Sequence, residues 1–391
     1  MRDYSFPDMT ERTILQIIPD LAAGGAERTT VEMAEAIVQA GGRALVASRG
    51  GRLEDALESV GGELVRMNAK SKNPLTIRWN ASKLVELIQA EHVDLIHARS
   101  RAPAWSARVA AHKTAIPFVT TYHGAYSGSS ALKIRYNAVM AAGERVIANS
   151  DWIAAHVRDV HEVERERLVT IPRGVDLEMF DPATVSDDRV EAVRRTWGLM
   201  ERGPVVLLLP GRLTSWKGQM VAIRAMARLT REEQASARLV LAGDPQGRDN
   251  YMRTLEDAII EYGLGGCVVL ADHCTDMPAA YLACDIALMP STRPEAFGRV
   301  AAEAAAMGRP VIASDHGGAR ETVLDGRTGV LVKPGDPVEL AGAIRTLRDI
   351  RPEARAAMGE TGSRHVRERF SKRGLQIATL KVYSELLRET V

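Results

Sequence analysis

Residues 294–318 read PEAFGRVAAEAAAMGRPVIASDHGG, and the order of elements written in that stretch decides the fold. A small-residue helix opens near Gly298, a short apolar strand follows at 310–313, and a His316-Gly317-Gly318 turn closes the unit. Helix, buried strand and glycine turn in that order are what a parallel α/β sheet requires. Glu295 and Glu303 stand eight residues apart around the helix start. At 3.6 residues per turn, eight steps leave two side chains about 80° apart. Glu295 is therefore expected in the loop before the helix and Glu303 two turns inside it. Glu303 lies among Ala301, Ala302, Ala304, Ala305, Ala306 and Met307, a stretch otherwise suited to burial. A carboxylate there is costly without a partner. Two partners fit: a hydroxyl-rich ligand, or an arginine in a structural ion pair.

Outward from this unit the same alternation recurs. Residues 13–18, 43–48, 94–97, 117–121, 145–148 and 168–171 read as buried strands. Helical patterns lie between them at 26–40, 80–91 and 151–160. The series restarts with strands at 204–209, 238–242, 267–271, 285–289, 310–313 and 329–332. Near-continuous apolar strands separated by helices indicate parallel sheets covered on both faces. The expected architecture is α/β, with two Rossmann-like doubly wound domains facing a cleft. Residues 1–185 form the first and 186–371 the second, with Pro182, Ser186, Asp187 and Asp188 reading as the join. Residues 372–391 form a C-terminal helix expected to pack back on the first domain. Ligands of such sheets bind beyond the carboxyl ends of the strands.

Composition narrows the function classes. The 391 residues are 46% apolar, enough for two cores, and 51 Lys plus Arg nearly cancel 50 Asp plus Glu. Bulk charge thus supplies no general attraction to nucleic acid. Cys267, Cys274 and Cys284 match neither a paired disulfide framework nor metal spacing, and read as small core residues in a reducing compartment. Residues 1–12 are polar with no apolar core of a signal peptide, and no apolar run approaches the ~20 residues that span a bilayer. A cytoplasmic protein is expected, with attachment to the inner face of the cytoplasmic membrane left open.

Two glycine-containing loops follow the opening strand of each half. Gly24-Gly25 precedes a helix beginning near Glu27; it reads as a simple tight turn or as a phosphate approach at a helix N-terminus. G-x-G-x-x-G is missing from the sequence, which counts against a dinucleotide. In the second half, Gly211-Arg212 and Lys217-Gly218 place two cations just after a strand, either as solvated charges or as a grip on a diphosphate. His123, in Thr121-Tyr122-His123-Gly124, ends a strand on the same side. No Asp-x-Asp pair offers carboxylates to a nucleotide-bound metal. A basic run comprises Lys70, Lys72, Arg78, Lys83, Arg99, Arg101, Arg108, Lys113, Lys133 and Arg135, accompanied by Trp79, Trp105 and Tyr136. It is either a solvated face or a surface for anionic lipid or a phosphorylated acceptor. The second half has no matching track for a nucleic-acid strand.

Together these residues resemble the retaining glycosyltransferases of family four, which share the two-domain GT-B fold. The resemblance covers nearly the whole chain and rests on Glu295-x7-Glu303 with His316-Gly317-Gly318, on Gly211-Arg212 with Lys217-Gly218, and on Gly24-Gly25-Ala26-Glu27. The wording around Arg99-Ser100-Arg101 and Tyr122-His123-Gly124-Ala125-Tyr126 is similar to alphaproteobacterial enzymes of lipopolysaccharide core or surface polysaccharide synthesis, some of them mannosyltransferases. The resemblance implies a catalytic set of Arg212, Lys217, Glu295 and His123. Arg212 and Lys217 would hold the leaving diphosphate, Glu295 and His123 would contact the donor sugar, and Glu303 the ribose. Gly24, Gly25, Gly211, His316, Gly317 and Gly318 complete the donor side; Glu27, Arg99, Arg101, Tyr122 and Tyr126 are acceptor-side candidates. One departure is Arg173 in Ile171-Pro172-Arg173-Gly174-Val175-Asp176, where the family commonly carries Asn.

The implied activity is metal-independent, cofactor-free transfer of a hexose with retention. The preferred donor is GDP-mannose, and the acceptor is a lipid-linked or polysaccharide chain. Expected partners are a nucleotide-sugar donor, a glycolipid or glycan acceptor and an anionic membrane surface, and no nucleic acid. Two alternatives share the scaffold: a hydrolysing nucleotide-sugar epimerase, which needs no acceptor surface, and a non-catalytic nucleotide-sugar binding subunit.

Overall fold

Continuous apolar runs become parallel strands in both halves, because a strand covered by helices on both faces has no solvent side to leave polar. The computed structural model describes residues 5–22, 24–126, 130–201 and 203–389. In the first half the strands are β1 (Thr13–Ile17), β2 (Arg43–Ser48), β3 (Glu63–Arg66), β4 (Leu95–Ala98), β5 (Phe118–Tyr122), β6 (Arg145–Ala148) and β7 (Leu168–Thr170). They pair in the order β3-β2-β1-β4-β5-β6-β7, all parallel. In the second half β8 (Val205–Pro210), β9 (Ala237–Ala242), β10 (Val268–Ala271), β11 (Ile286–Met289), β12 (Val311–Ser314) and β13 (Gly329–Val332) pair as β10-β9-β8-β11-β12-β13, again all parallel. Each order reverses direction once, between β1 and β4 and between β8 and β11. Those reversals are the switch points where loops diverge and ligands of such sheets bind.

The chain divides into two units, residues 1–174 with 372–391 and residues 175–371. Sequence reading puts the join at 185/186, eleven residues later. Residues 175–185 go with the second unit because the Val175 N–H donates to the Phe370 carbonyl at 2.7 Å and the Phe180 ring packs 6.1 Å from that of Tyr281. The residues that read as the join also begin a helix, Asp187–Thr196, with Asp187 and Asp188 in its first turn, where carboxylates favour the helix dipole.

Each unit has its own core. In the first, Ile14, Val46, Leu95 and Val119 from the sheet meet Met33 and Ile37 of the helix Gly25–Gln39. The C-terminal helix Lys372–Glu389 closes this unit: Leu380, Tyr383 and Leu386 join the core, and Gln376 Nε2 donates to the Glu32 carbonyl at 2.7 Å. In the second unit, Leu207, Leu209, Leu239, Leu241 and Leu288 build one face of the sheet core. Each such leucine contributes about 1.5–3 kcal/mol by leaving water. Cys267 and Cys284 are buried and all three cysteines are free thiols. No helix among the described residues is long and apolar enough to cross a membrane.

Candidate functional site

In the second unit the chain leaves β8 at Pro210, passes Gly211 at φ +147° and exposes Arg212. A 3₁₀ turn, Ser215–Lys217, then carries Lys217 back beside Gly211. Lys217 Nζ lies 2.6 Å from Glu295 Oε1 and 4.4 Å from the centre of the Trp216 ring. Ser291 Oγ donates to the same carboxylate oxygen at 2.7 Å. The Lys217 and Glu295 side chains are only 16% and 13% exposed, so the pair is little screened by water. Arg212, by contrast, makes no ion pair among the described residues; Gln219 Nε2 fixes its carbonyl at 3.0 Å.

Glu295 lies in the loop that precedes the helix Arg299–Ala306, and the Gly318 N–H donates to the Glu295 carbonyl at 2.8 Å. Gly317 stands at φ +61°, and a Cβ there would collide with that carbonyl. The glycine pair thus lets the turn after β12 lie directly on the backbone that presents Glu295. Glu303 sits in the second turn of the helix and is 9% exposed. Arg299 Nε approaches its Oε1 at 3.3 Å, and the Tyr281 hydroxyl donates to Oε2 at 3.2 Å. Burial pushes the Tyr281 phenol well up, and the Glu303 charge adds to the effect, so the hydroxyl keeps its proton. Of the two partners open to Glu303 in the sequence, the arginine is therefore present. The ring nitrogens of His316, Nδ1 and Nε2, are both buried without hydrogen-bond partners among the described residues.

In the first unit the helix Gly25–Gln39 starts at Gly25, two residues before Glu27, with no side chain capping it. A cavity of about 370 Å³ lies at the carboxyl ends of β1, β4 and β5, and Glu27, Arg99, Arg101, His123 and Tyr126 line it beside Lys70 and Lys72. Arg99 is buried and donates through Nε and Nη2 to Gln16 Oε1 at 2.9 and 2.6 Å. Arg101 donates to Asn137 Oδ1 at 2.9 Å, and its guanidinium lies 4.1 Å from the Tyr126 ring centre. Tyr122 does not line this cavity: it alternates to the other face of β5, fully buried, with its hydroxyl 3.1 Å from His161 Nε2. Burial pushes the Tyr122 phenol upward, so it too stays protonated. A cavity of about 420 Å³ in the second unit, lined by Arg189, Trp197, His273 and Cys274, includes none of the predicted site residues.

Several contributors escaped sequence reading. Ser291 and Tyr281 carry no motif. Arg299 is visible as an i,i+4 partner of Glu303. His97 is buried in β4 between Thr121 Oγ1 at 2.7 Å and the Tyr383 hydroxyl at 2.6 Å, a link only the fold creates.

A solved glycosyltransferase from Rickettsia africae superposes with a TM-score of 0.88, at 32% identity over 96% of this chain and 99% of that one. Anabaena HepE, solved in complex with UDP-glucose, superposes with a TM-score of 0.83, at 26% identity over 95% of this chain and 99% of that one. With its two Rossmann-like parallel sheets, the molecule is a GT-B glycosyltransferase. Residues 23–179 match the model described as Glycosyltransferase Family 4, and residues 194–365 that described as Glycosyl transferases group 1. The D-inositol 3-phosphate glycosyltransferase of Xylanimonas cellulosilytica is 31% identical over 314 residues, 75% of this chain and 72% of the relative. The chain belongs to the family 4 glycosyltransferases.

Proposed function

We propose that this enzyme moves a hexosyl group, with retention and without a metal, from a nucleotide-diphosphate sugar to an anionic glycan or glycolipid acceptor. The observation that carries the donor half is the Lys217–Glu295 pair set beside the exposed Arg212, at the carboxyl end of β8. Transfer breaks the bond between the anomeric carbon and the β-phosphate oxygen, and forms one to an acceptor hydroxyl oxygen. The hydroxyl proton passes to the departing phosphate on the same face. Negative charge grows on that phosphate as the bond breaks, so preplaced cations bind the transition state more tightly than the ground state. Lys217 is the fixed cation, with Arg212 free to close on the phosphates; the family resemblance supports Glu295 accepting from sugar hydroxyls and Glu303, beside Arg299 and Tyr281, accepting from the ribose.

The acceptor half rests on Lys70, Lys72, Arg99 and Arg101 around one cavity, which suits a phosphate-bearing group. The name of the Xylanimonas relative, a D-inositol 3-phosphate glycosyltransferase, favours the same chemistry. The narrow sequence resemblance favours GDP-mannose and a lipopolysaccharide or surface-glycan acceptor made on the cytoplasmic side; the UDP-glucose bound to HepE favours a UDP-sugar. Leu75, Trp79 and Leu132 are exposed near basic residues, which suits an acceptor embedded in an anionic membrane surface.

A panel of nucleotide sugars, assayed with EDTA present and with acceptors both free and in anionic vesicles, tests the reading. The expected product keeps the donor's anomeric configuration by NMR and forms only with acceptor. Epimer released from donor alone, an inverted linkage, or binding without turnover on every acceptor would overturn it.

A further inference from the structure

Arg173 is a motif position where the chain departs from the family's common pattern, and it stands three residues past the end of β7. Its Nη2 lies 3.2 Å from His123 Nδ1. A guanidinium can only donate, so Nδ1 must be the nitrogen that carries the lone pair. The imidazole hydrogen then sits on Nε2, which is buried and has no hydrogen-bond partner among the described residues. Leaving a buried donor unfilled is unfavourable, so such a group is expected to meet an acceptor when the site fills. The backbone is held as well: Asn149 Nδ2 donates to the His123 carbonyl at 3.3 Å. A Cβ on Gly25 would collide with the Arg173 guanidinium, so that glycine gives the arginine its place over the first turn of the helix Gly25–Gln39.

We propose that Arg173 is a positioning residue that locks His123 as the Nε2–H tautomer, presenting one oriented donor to an oxygen of the bound substrate. The substrate clause rests on the glycosyl-transfer reading; the tautomer does not. The groups facing His123 are Arg99 at the end of β4, Arg173 after β7, His97 within β4 and Tyr126 in the loop after β5, with Glu27 lining the same cavity. Burial, then the Arg173 and Arg99 charges, holds the imidazole well below its ordinary value, so it is neutral wherever the enzyme is assayed near pH 7.

Long-range ¹H–¹⁵N spectra of the full-length protein without ligand read the tautomer directly. The expected wild-type spectrum shows a protonated Nε2 and a bare Nδ1 for His123, identified by its loss in His123→Gln. A protonated Nδ1 would overturn the proposal without any need for a variant. Arg173→Met removes one of the charges holding the pKa down, so the His123 titration should move to higher pH while a second tautomer emerges. In Arg173→Lys, which keeps a donor, the single tautomer should persist. An Arg173→Met spectrum and titration identical to wild type would also overturn the proposal. In kinetics, Arg173→Met should lower kcat/KM about tenfold, the loss of roughly one hydrogen bond, with Arg173→Lys recovering most of it. The expected tautomer in a protein that transfers no sugar would leave the positioning intact and remove the glycosyl-transfer reading instead.

Discussion

Arg212 and Lys217 carry the same charge five residues apart, and their surroundings assign them different costs when removed. Arg212 is exposed and unpaired among the described residues, so Arg212→Ala should leave the unfolding free energy within about 0.5 kcal/mol of wild type. Lys217→Ala leaves the mostly buried Glu295 carboxylate with Ser291 as its one remaining side-chain donor among the described residues, and stability should fall by about 1–3 kcal/mol. Both should lower turnover by about 10²–10³, the usual loss for one donor aimed at developing negative charge. Steady-state kinetics beside urea unfolding check the pattern; near-normal turnover in folded variants would remove these cations from the account. The motif residues were legible because each breaks a local rule, as with a carboxylate in an alanine-rich helix or cations straight after a buried strand. Their partners were not. Lys217 and Glu295 are 78 positions apart, and Tyr281 reaches Glu303 from another helix; no periodicity encodes such meetings.

The loop before the helix Arg299–Ala306 works as an element, because the turn after β12 holds it in place. Gly317 sits in the left-handed region and a Cβ on it would collide with the Glu295 carbonyl, so Gly317→Ala strains one turn and displaces the other. The variant should lose about 1–3 kcal/mol in urea unfolding, and its KM for donor should rise because Glu295 moves. A variant with unchanged stability and unchanged KM would separate the turn from the site. The buried strands were readable because their apolar runs are continuous, as in VVLLL of β8. β3 was missed: Glu63-Leu64-Val65-Arg66 is short, charged at both ends and lies at the sheet edge, where partial exposure removes the apolar signature. Helix Asp187–Thr196 hides in the domain join because the acidic residues that begin it resemble a turn until the helix dipole is considered.

Across the whole molecule, the same sheet construction serves two tasks. Each unit is doubly wound and reverses at its switch point, so loops from β1 and β4 in one, and from β8 and β11 in the other, gather polar groups at strand ends. The first gathers cations around a cavity; the second gathers an ion pair, an exposed arginine and a glycine turn. The doubling was plain in the sequence as a strand series that begins again. The boundary was less so, since backbone bonding between Val175 and Phe370 ties the start of the second unit to its end. The most direct measurement is a crystal structure of the enzyme soaked with the nucleotide sugar it turns over. The account predicts the diphosphate within hydrogen-bond reach of Arg212 and Lys217, with sugar hydroxyls on Glu295. A diphosphate bound away from both cations would contradict it.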